Sequence, residues 1–287
     1  MIWSDFSKLI KLRLTFLVVF SASISFLIGS KVNGEIIWKN WAMLIVGGFL
    51  VTSSANAFNE IIEKDLDRLM KRTSDRPIPA GRMTTGQALV LGLFMAMFGT
   101  FLLGKLNLTT GFLSIFSILL YAFLYTPAKR KSPIAVFIGA IPGALPPLIG
   151  YVAAHPKIDE IALVLFAIQF VWQFPHFWAI AWVLDDDYKL AGFRLLPSGK
   201  RDTTSAVFAF VSTVILLPVS LLPTYYGYGG YYLGGVSLLI SLMFLYQGFV
   251  LMRNRDIKSA KSLMYGSFLY LPVVQIMFLV DFIGKVK

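Results

Sequence analysis

Long apolar runs alternate along this chain with short charged stretches. Nine runs, at roughly 14–30, 41–62, 86–104, 108–126, 133–154, 159–183, 204–225, 229–251 and 262–283, each reach the length of a bilayer-crossing helix. Lys105 and Asn107 separate the third run from the fourth. Tyr-Gly-Tyr-Gly-Gly at 226–230 supplies a tight turn between the seventh and eighth. The expected fold is an all-α integral membrane protein, a bundle of about nine transmembrane helices whose mid-span positions are almost wholly apolar. No linker or low-complexity tract interrupts it, so residues 1–287 are expected to form a single transmembrane domain.

Composition and charge sharpen this picture. With 57% hydrophobic and 14% charged residues, the chain lies outside the range of soluble domains. Its net charge of +11 would suggest nucleic acid in a soluble protein. Here the distribution gives another cause. With the N-terminus placed inside, 20 of the 26 Lys and Arg fall on inner segments, and only Lys31, Lys39, Lys105, Lys157, Lys285 and Lys287 fall outside. That is the positive-inside pattern. It predicts a multi-pass inner-membrane protein with a cytoplasmic N-terminus, an outer C-terminus and no nucleic-acid partner. The first run follows Lys8, Lys11 and Arg13 and ends without a cleavage site, so it is expected to remain as the first span. The absence of cysteine excludes disulfides, thiolate metal sites and a cysteine nucleophile. Two histidines, His155 and His176, are too few for a multi-histidine metal centre.

Polar chemistry gathers at the predicted inner face in four clusters. The first is Asn59-Glu60-Ile61-Ile62-Glu63-Lys64-Asp65-Leu66-Asp67-Arg68. Asn59, Glu63 and Asp67 are four residues apart and share one helical face. Three oxygen donors there form a candidate Mg²⁺ site, since Mg²⁺ takes one or two carboxylates and completes its shell with phosphate and water. The same spacing suits a solvated helix end with Glu/Lys pairs. The second cluster, Lys71 to Arg82, offers Arg72 and Arg76 as forks for phosphate, or is simply a basic inner loop. The third, Tyr125-Thr126-Pro127-Ala128-Lys129-Arg130-Lys131, offers Lys129 and Arg130 to a diphosphate leaving group, with Tyr125 one turn earlier, or again is topogenic charge. The fourth joins Pro175-His176-Phe177-Trp178 to Asp185-Asp186-Asp187-Tyr188. Three consecutive aspartates repel one another and suggest a cation or basic partner, or a hydrated loop. His176 lies inside an apolar span, where a histidine faces the bundle or a cavity. Its roles there are a packing residue, a proton donor or a haem-iron ligand. One geometry uses all four clusters: two Mg²⁺ sites holding a diphosphate, cations around it, and an apolar bundle behind it for a hydrocarbon tail.

These motifs resemble the UbiA-type intramembrane prenyltransferases. Asn59, Glu60, Glu63 and Asp67 match the family's N-D-x-x-D-x-x-x-D motif, with Glu replacing Asp twice. Lys71 to Gly81 matches K-R-T-x-x-R-P-x-P-x-G, and Tyr125 with Lys129 matches Y-x-x-x-K. The G-A-x-P-P-x-x-G-Y run at 143–151, Pro175-His176-Phe177-Trp178 and the D-D-Y-x-x-A-G run from Asp186 resemble the branch of the family that prenylates haem. Phe193-Arg194 departs from that branch, which usually carries a small apolar residue and proline there. The resemblance extends from about Asn56 to Pro197.

It implies Mg²⁺-dependent transfer of a farnesyl group from farnesyl diphosphate to a vinyl group of haem b, with haem b as substrate rather than cofactor. Asn59, Glu60, Glu63, Asp67, Asp186 and Asp187 are the implied metal ligands. Lys129, Arg130, Arg72 and Arg76 would neutralise the diphosphate, with Tyr125 and Tyr188 beside it and His176 against the haem. Partners from the haem pathway or oxidase assembly are implied by the resemblance alone. Three other functions compete. An aromatic quinone-precursor acceptor keeps the enzyme class. A cation-coupled transporter requires ionisable groups near the bilayer midplane. A passive haem-binding protein predicts no need for Mg²⁺ or farnesyl diphosphate.

Overall fold

The computed structural model describes residues 3–283, so Lys285 and Lys287, counted above as outer charges, lie outside the described residues. Nine helices among them are long and apolar enough to span a bilayer, matching the nine predicted runs. A short helix, α1 (Trp3–Leu9), precedes the first span, α2 (Leu12–Asn33). There follow α3 (Trp38–Asp67), α4 (Thr85–Leu106), α5 (Leu108–Ala128), α6 (Ala135–Ala154) and α7 (Glu160–Val183). A second short helix, α8 (Asp185–Leu190), leads to α9 (Thr203–Tyr225), α10 (Tyr231–Asn254) and α11 (Ile257–Val280).

Local chemistry sets the breaks. Asn107 ends α4 and caps α5: its Oδ1 accepts the Thr110 N–H at 2.9 Å, while its Nδ2 donates to Val152 O at 2.8 Å. Thr84 and Gln87 form a capping box at the start of α4, and Asp159, Asp202 and Asp256 cap α7, α9 and α11. Gly227 carries the positive φ of the 226–230 turn.

Helices α2 to α6 pack as one group and α7 with α9 to α11 as another, joined where α6 meets α7 and α2 meets α11. The α2–α6 crossing is a backbone contact. A Cβ on Gly150 would lie 1.9 Å from Ala22 O, so only glycine admits this approach. Phe94, Met97 and Phe101 on α4 stay exposed, as lipid-facing side chains do, and Tyr225, Tyr226, Tyr231 and Tyr232 form an aromatic belt at the end away from the acidic clusters.

The spans are less uniformly apolar than the sequence suggested. Pro147 leaves the Gly143 carbonyl without its helical donor, and Gln169 Nε2 supplies one at 2.7 Å. Gln169 Oε1 in turn accepts from Ser21 Oγ (2.8 Å) and Gln275 Nε2 (2.9 Å), tying α2, α7 and α11. Ser220, Ser241 and Tyr270 close a second buried triangle between α9, α10 and α11. All these groups are neutral, so they join helices at small desolvation cost. They do not form the midplane cation pathway a transporter needs.

Candidate active site

The last turns of α3 carry Asn59, Glu63 and Asp67 on one buried face, as their spacing predicts. Asn59 Nδ2 donates to Glu63 Oε2 at 2.8 Å and to Thr126 Oγ1 at 3.1 Å. Each member of the row meets a cation. Lys11 Nζ is 2.6 Å from Asn59 Oδ1, Lys129 Nζ is 2.5 Å from Glu63 Oε1, and Arg76 Nη1 is 2.6 Å from Asp67 Oδ2. Burial, with Arg76 and Lys129 beside it, pushes the Lys11 ammonium well below its usual range.

Helix α5 brings Lys129 here by an unusual turn. Residues Leu119–Tyr125 wind as a π-helix, and the helix then runs on through Pro127 to Ala128. Such turns gather at functional sites. Tyr125 lies buried with its ring 5.0 Å from Lys129 Nζ. It fits because Gly139 faces it: a Cβ there would come within 2.7 Å of the ring. Tyr121 stands 5.5 Å from Tyr125 and its ring lies 6.0 Å from Lys11 Nζ.

From the opposite side α8 contributes Asp187, whose Oδ1 accepts the Lys71 N–H at 2.8 Å. Tyr188 stacks edgewise on Phe193 at 6.0 Å, and burial raises its phenol pKa. Phe193 in turn lies 5.4 Å from Lys129 Nζ.

Four expected site residues are placed differently. Asp186 is 77% exposed and bound to Arg201 at 3.0 Å, because consecutive residues of a helix point about 100° apart and Asp187 is the one turned to the Lys71 N–H. Arg130, in the turn that follows α5, is exposed while Lys129 is buried. Glu60 is buried, its Oε1 accepting the Ile78 N–H at 3.1 Å and its Oε2 having no hydrogen-bond partner. Arg72 is exposed at the edge of the cluster.

The arrangement suits a hard divalent cation with a phosphate ligand. Asp67 Oδ1 and Asp187 Oδ2 are buried and have no hydrogen-bond partner, so each offers a free lone pair. Among the described residues no three carboxylates converge into a closed cage. Mg²⁺ in phosphate-transfer sites has the same need, for one or two carboxylates and open positions for phosphate and water.

His176 stands apart, seven residues from the end of α7 and so about 10 Å along the helix. Its Nδ1 is 2.8 Å from Ser267 Oγ, and Ser267 donates its own proton to Met264 O at 2.6 Å. With the Ser267 proton on Met264 O, Nδ1 is the donor to Ser267 and Nε2 carries the lone pair. Trp172 stacks on the ring at 4.3 Å and fixes its plane.

Residues 18–272 match the UbiA prenyltransferase family. The chain belongs to that family. It is 45% identical to a protoheme IX farnesyltransferase of Cytophaga hutchinsonii over 96% of each chain. It is 41% identical to a protoheme IX farnesyltransferase of Flavobacterium psychrophilum over 98% of this chain and 95% of the relative. Its fold is that of a digeranylgeranylglyceryl phosphate synthase, with a TM-score of 0.81 at 20% identity and 97% coverage of both chains. A UbiA homologue from Archaeoglobus fulgidus, bound to GPP and Mg²⁺, matches with a TM-score of 0.68 at 12% identity over 96% of this chain and 99% of that one.

Sequence reasoning missed three groups at this UbiA-family site: Lys11, Tyr121 and Thr126. Tyr121 was open to discovery, because Tyr121, Tyr125 and Lys129 repeat every four residues. Lys11 was counted as topogenic charge at the mouth of the first span.

Proposed function

We propose that this chain, one transferase domain over residues 1–287, moves a farnesyl group from farnesyl diphosphate to a vinyl group of protohaem IX, giving haem O and pyrophosphate. The observation that carries the acceptor is the 45% identity, over nearly the full chain, to a protoheme IX farnesyltransferase. The cluster at the α3 end supplies the chemistry.

Asn59, Glu63 and Asp67 are the proposed ligands of one Mg²⁺ and Asp187 of a second, Asp67 Oδ1 and Asp187 Oδ2 being the free oxygens. Bound there, Mg²⁺ neutralises charge developing on the leaving diphosphate. Lys129 and Arg76 add cationic donors to the same oxygens. The C–O bond breaks with its electron pair leaving on pyrophosphate. The aromatic faces of Tyr121, Tyr125 and Tyr188 border this point, stabilise the allylic cation and exclude water. The vinyl carbon then attacks, water adds to the resulting porphyrin-stabilised cation, and a proton is lost.

His176 is the proposed haem contact, through the free lone pair on Nε2. The haem carboxylates are assigned to a cleft of about 540 Å³ lined by Lys189, Arg194 and Lys200, which shares its Phe193 wall with the Lys129 site. The charge bias of the loops supports a cytoplasmic N-terminus and active site in the inner membrane. Haem-pathway or oxidase-assembly partners would take the product onward.

The test is to express the chain in a bacterial membrane, supply haem and analyse extracted pigments by chromatography and mass. A haem heavier by one farnesyl and one hydroxyl group is expected. An unchanged haem pool beside well-expressed protein would sink the reading, and prenylation of an aromatic acid instead would redirect it.

A further inference from the structure

Three cations hold three proposed metal ligands: Lys11 on Asn59, Lys129 on Glu63 and Arg76 on Asp67. An oxygen that binds Mg²⁺ at about 2.0–2.1 Å has little room for an ammonium on the same lone pair. Lys129 and Arg76 already have a second partner in the diphosphate. Lys11 has none in the chemistry given above.

The chain does much to deliver Lys11. Its backbone is left-handed, φ 48 and ψ 56, a conformation that is strained for any residue with a side chain. This kink separates α1 from α2 and turns the side chain inward. The elbow is strapped from several sides. Arg82 Nε meets Asp5 Oδ1 at 2.8 Å, and Lys8 Nζ meets Asp75 Oδ2 at 2.5 Å. The Ile10 carbonyl accepts from Asn56 Nδ2 at 3.1 Å and from Thr15 Oγ1 at 2.7 Å. A lysine serving only as an inner-face charge needs no strained, multiply anchored elbow. Arg76 and Lys129 act on the ammonium as like charges, while Glu63 and Asp67 act on it in the opposite sense. A polyanion among the three would relieve that repulsion.

We infer that Lys11 is a further diphosphate-binding cation that changes partners, holding Asn59 Oδ1 until metal and diphosphate arrive together and then releasing that oxygen to grip the diphosphate. The inference rests on the metal and diphosphate reading of this site. Lys11 thus opposes the metal when it comes alone and supports the diphosphate. Metal and diphosphate are thereby coupled, each favouring the other by the same factor. One residue acts on the two ligands with opposite signs, which a purely structural lysine would not do.

The experiment uses the purified full chain in detergent, with Mn²⁺ in place of Mg²⁺ and free Mn²⁺ read by electron paramagnetic resonance. Inorganic pyrophosphate is the second probe. Wild type should bind Mn²⁺ more tightly when pyrophosphate is present. Lys11→Met should bind Mn²⁺ alone more tightly than wild type, yet bind pyrophosphate about tenfold more weakly at saturating Mn²⁺, the loss of one charge-assisted hydrogen bond. Lys11→Arg should restore pyrophosphate binding, which also guards against a folding defect in the methionine variant. The inference is overturned if Lys11→Met weakens both probes equally, or leaves both unchanged while wild type binds them. If wild type binds neither probe, the metal–diphosphate reading falls and this inference with it.

Discussion

Arg76 Nη1 lies 2.6 Å from Asp67 Oδ2, with the two side chains 14% and 1% exposed, so one buried pair joins the 68–84 loop to the end of α3. The pair leaves Asp67 Oδ1 free. Asp67 thus serves two purposes, anchoring the loop with one oxygen and offering the other to a metal. Asp67→Asn keeps an oxygen for Arg76 and removes the charge a divalent cation needs. Turnover should fall by about 10²–10³-fold, the scale of losing one electrostatic contact to a transition state. The variant should still insert and elute like wild type. Near-normal haem O production by it would rule out Asp67 as a metal ligand.

His176 should act on the acceptor side alone. His176→Ala is expected to raise the KM for haem about tenfold and to leave that for farnesyl diphosphate unchanged. Ser267→Ala should shift the haem KM in the same direction by less, because it frees the tautomer without removing the ring. Steady-state kinetics with each substrate varied in turn separates the two. Equal effects on both KM values would count against a haem contact.

Much of this was legible in the sequence, and the failures share a cause. The nine spans were readable because hydropathy accumulates over a whole helix, and Asn59, Glu63 and Asp67 because a spacing of four needs no tertiary information. Side-chain direction was harder. Asp186 and Arg130 sit next to residues that face the site, yet the rotation of a helix in one case and a turn in the other carries them to the surface. The links among Ser21, Gln169 and Gln275 join three distant segments and left no local trace. Lys11 was hidden by the left-handed kink that aims it.

Close helix contact gives a stability prediction with its own control. Gly150→Ala places a methyl group 1.9 Å from Ala22 O, and backbone cannot yield cheaply. The cost should be about 1–3 kcal/mol, seen as a lower unfolding temperature in detergent. Gly235→Ala meets no atom within 4 Å and should be neutral or gain up to about 1 kcal/mol of helix propensity. Equal melting of the two variants would show that the α2–α6 crossing tolerates a side chain.

The latch of α1 to the 68–84 loop should depend on pH. Lys8, with Arg82, holds the Asp75 carboxyl below its ordinary value. A depressed folded-state pKa stabilises the fold fully above the unfolded value of about 3.9, and that contribution disappears as pH falls through the folded value. Asp75→Asn should therefore melt below wild type near neutrality, with the gap closing in acid. Salt should narrow it too, since Asp75 is exposed. A gap that stayed constant with pH would mean the latch is not ionic.

The basic cleft makes the last prediction, through a change in the substrate rather than the protein. Lys189 is already bound to Asp185 at 2.7 Å, which leaves Arg194 and Lys200 as the cations to meet a carboxylate. The dimethyl ester of protohaem keeps the ring, the vinyl groups and the iron but loses both negative charges. Wild type should use it at least about tenfold less well than the diacid, the worth of one charge-assisted hydrogen bond. In the double variant Arg194→Gln, Lys200→Gln that preference should shrink, with diacid use falling towards ester use and the KM for farnesyl diphosphate unmoved. Because both haems contain the reacting vinyl group, a lost preference cannot be blamed on the chemistry. If the double variant kept the full preference, the carboxylates would have to bind elsewhere, and the cleft would be an ordinary basic surface of the inner face.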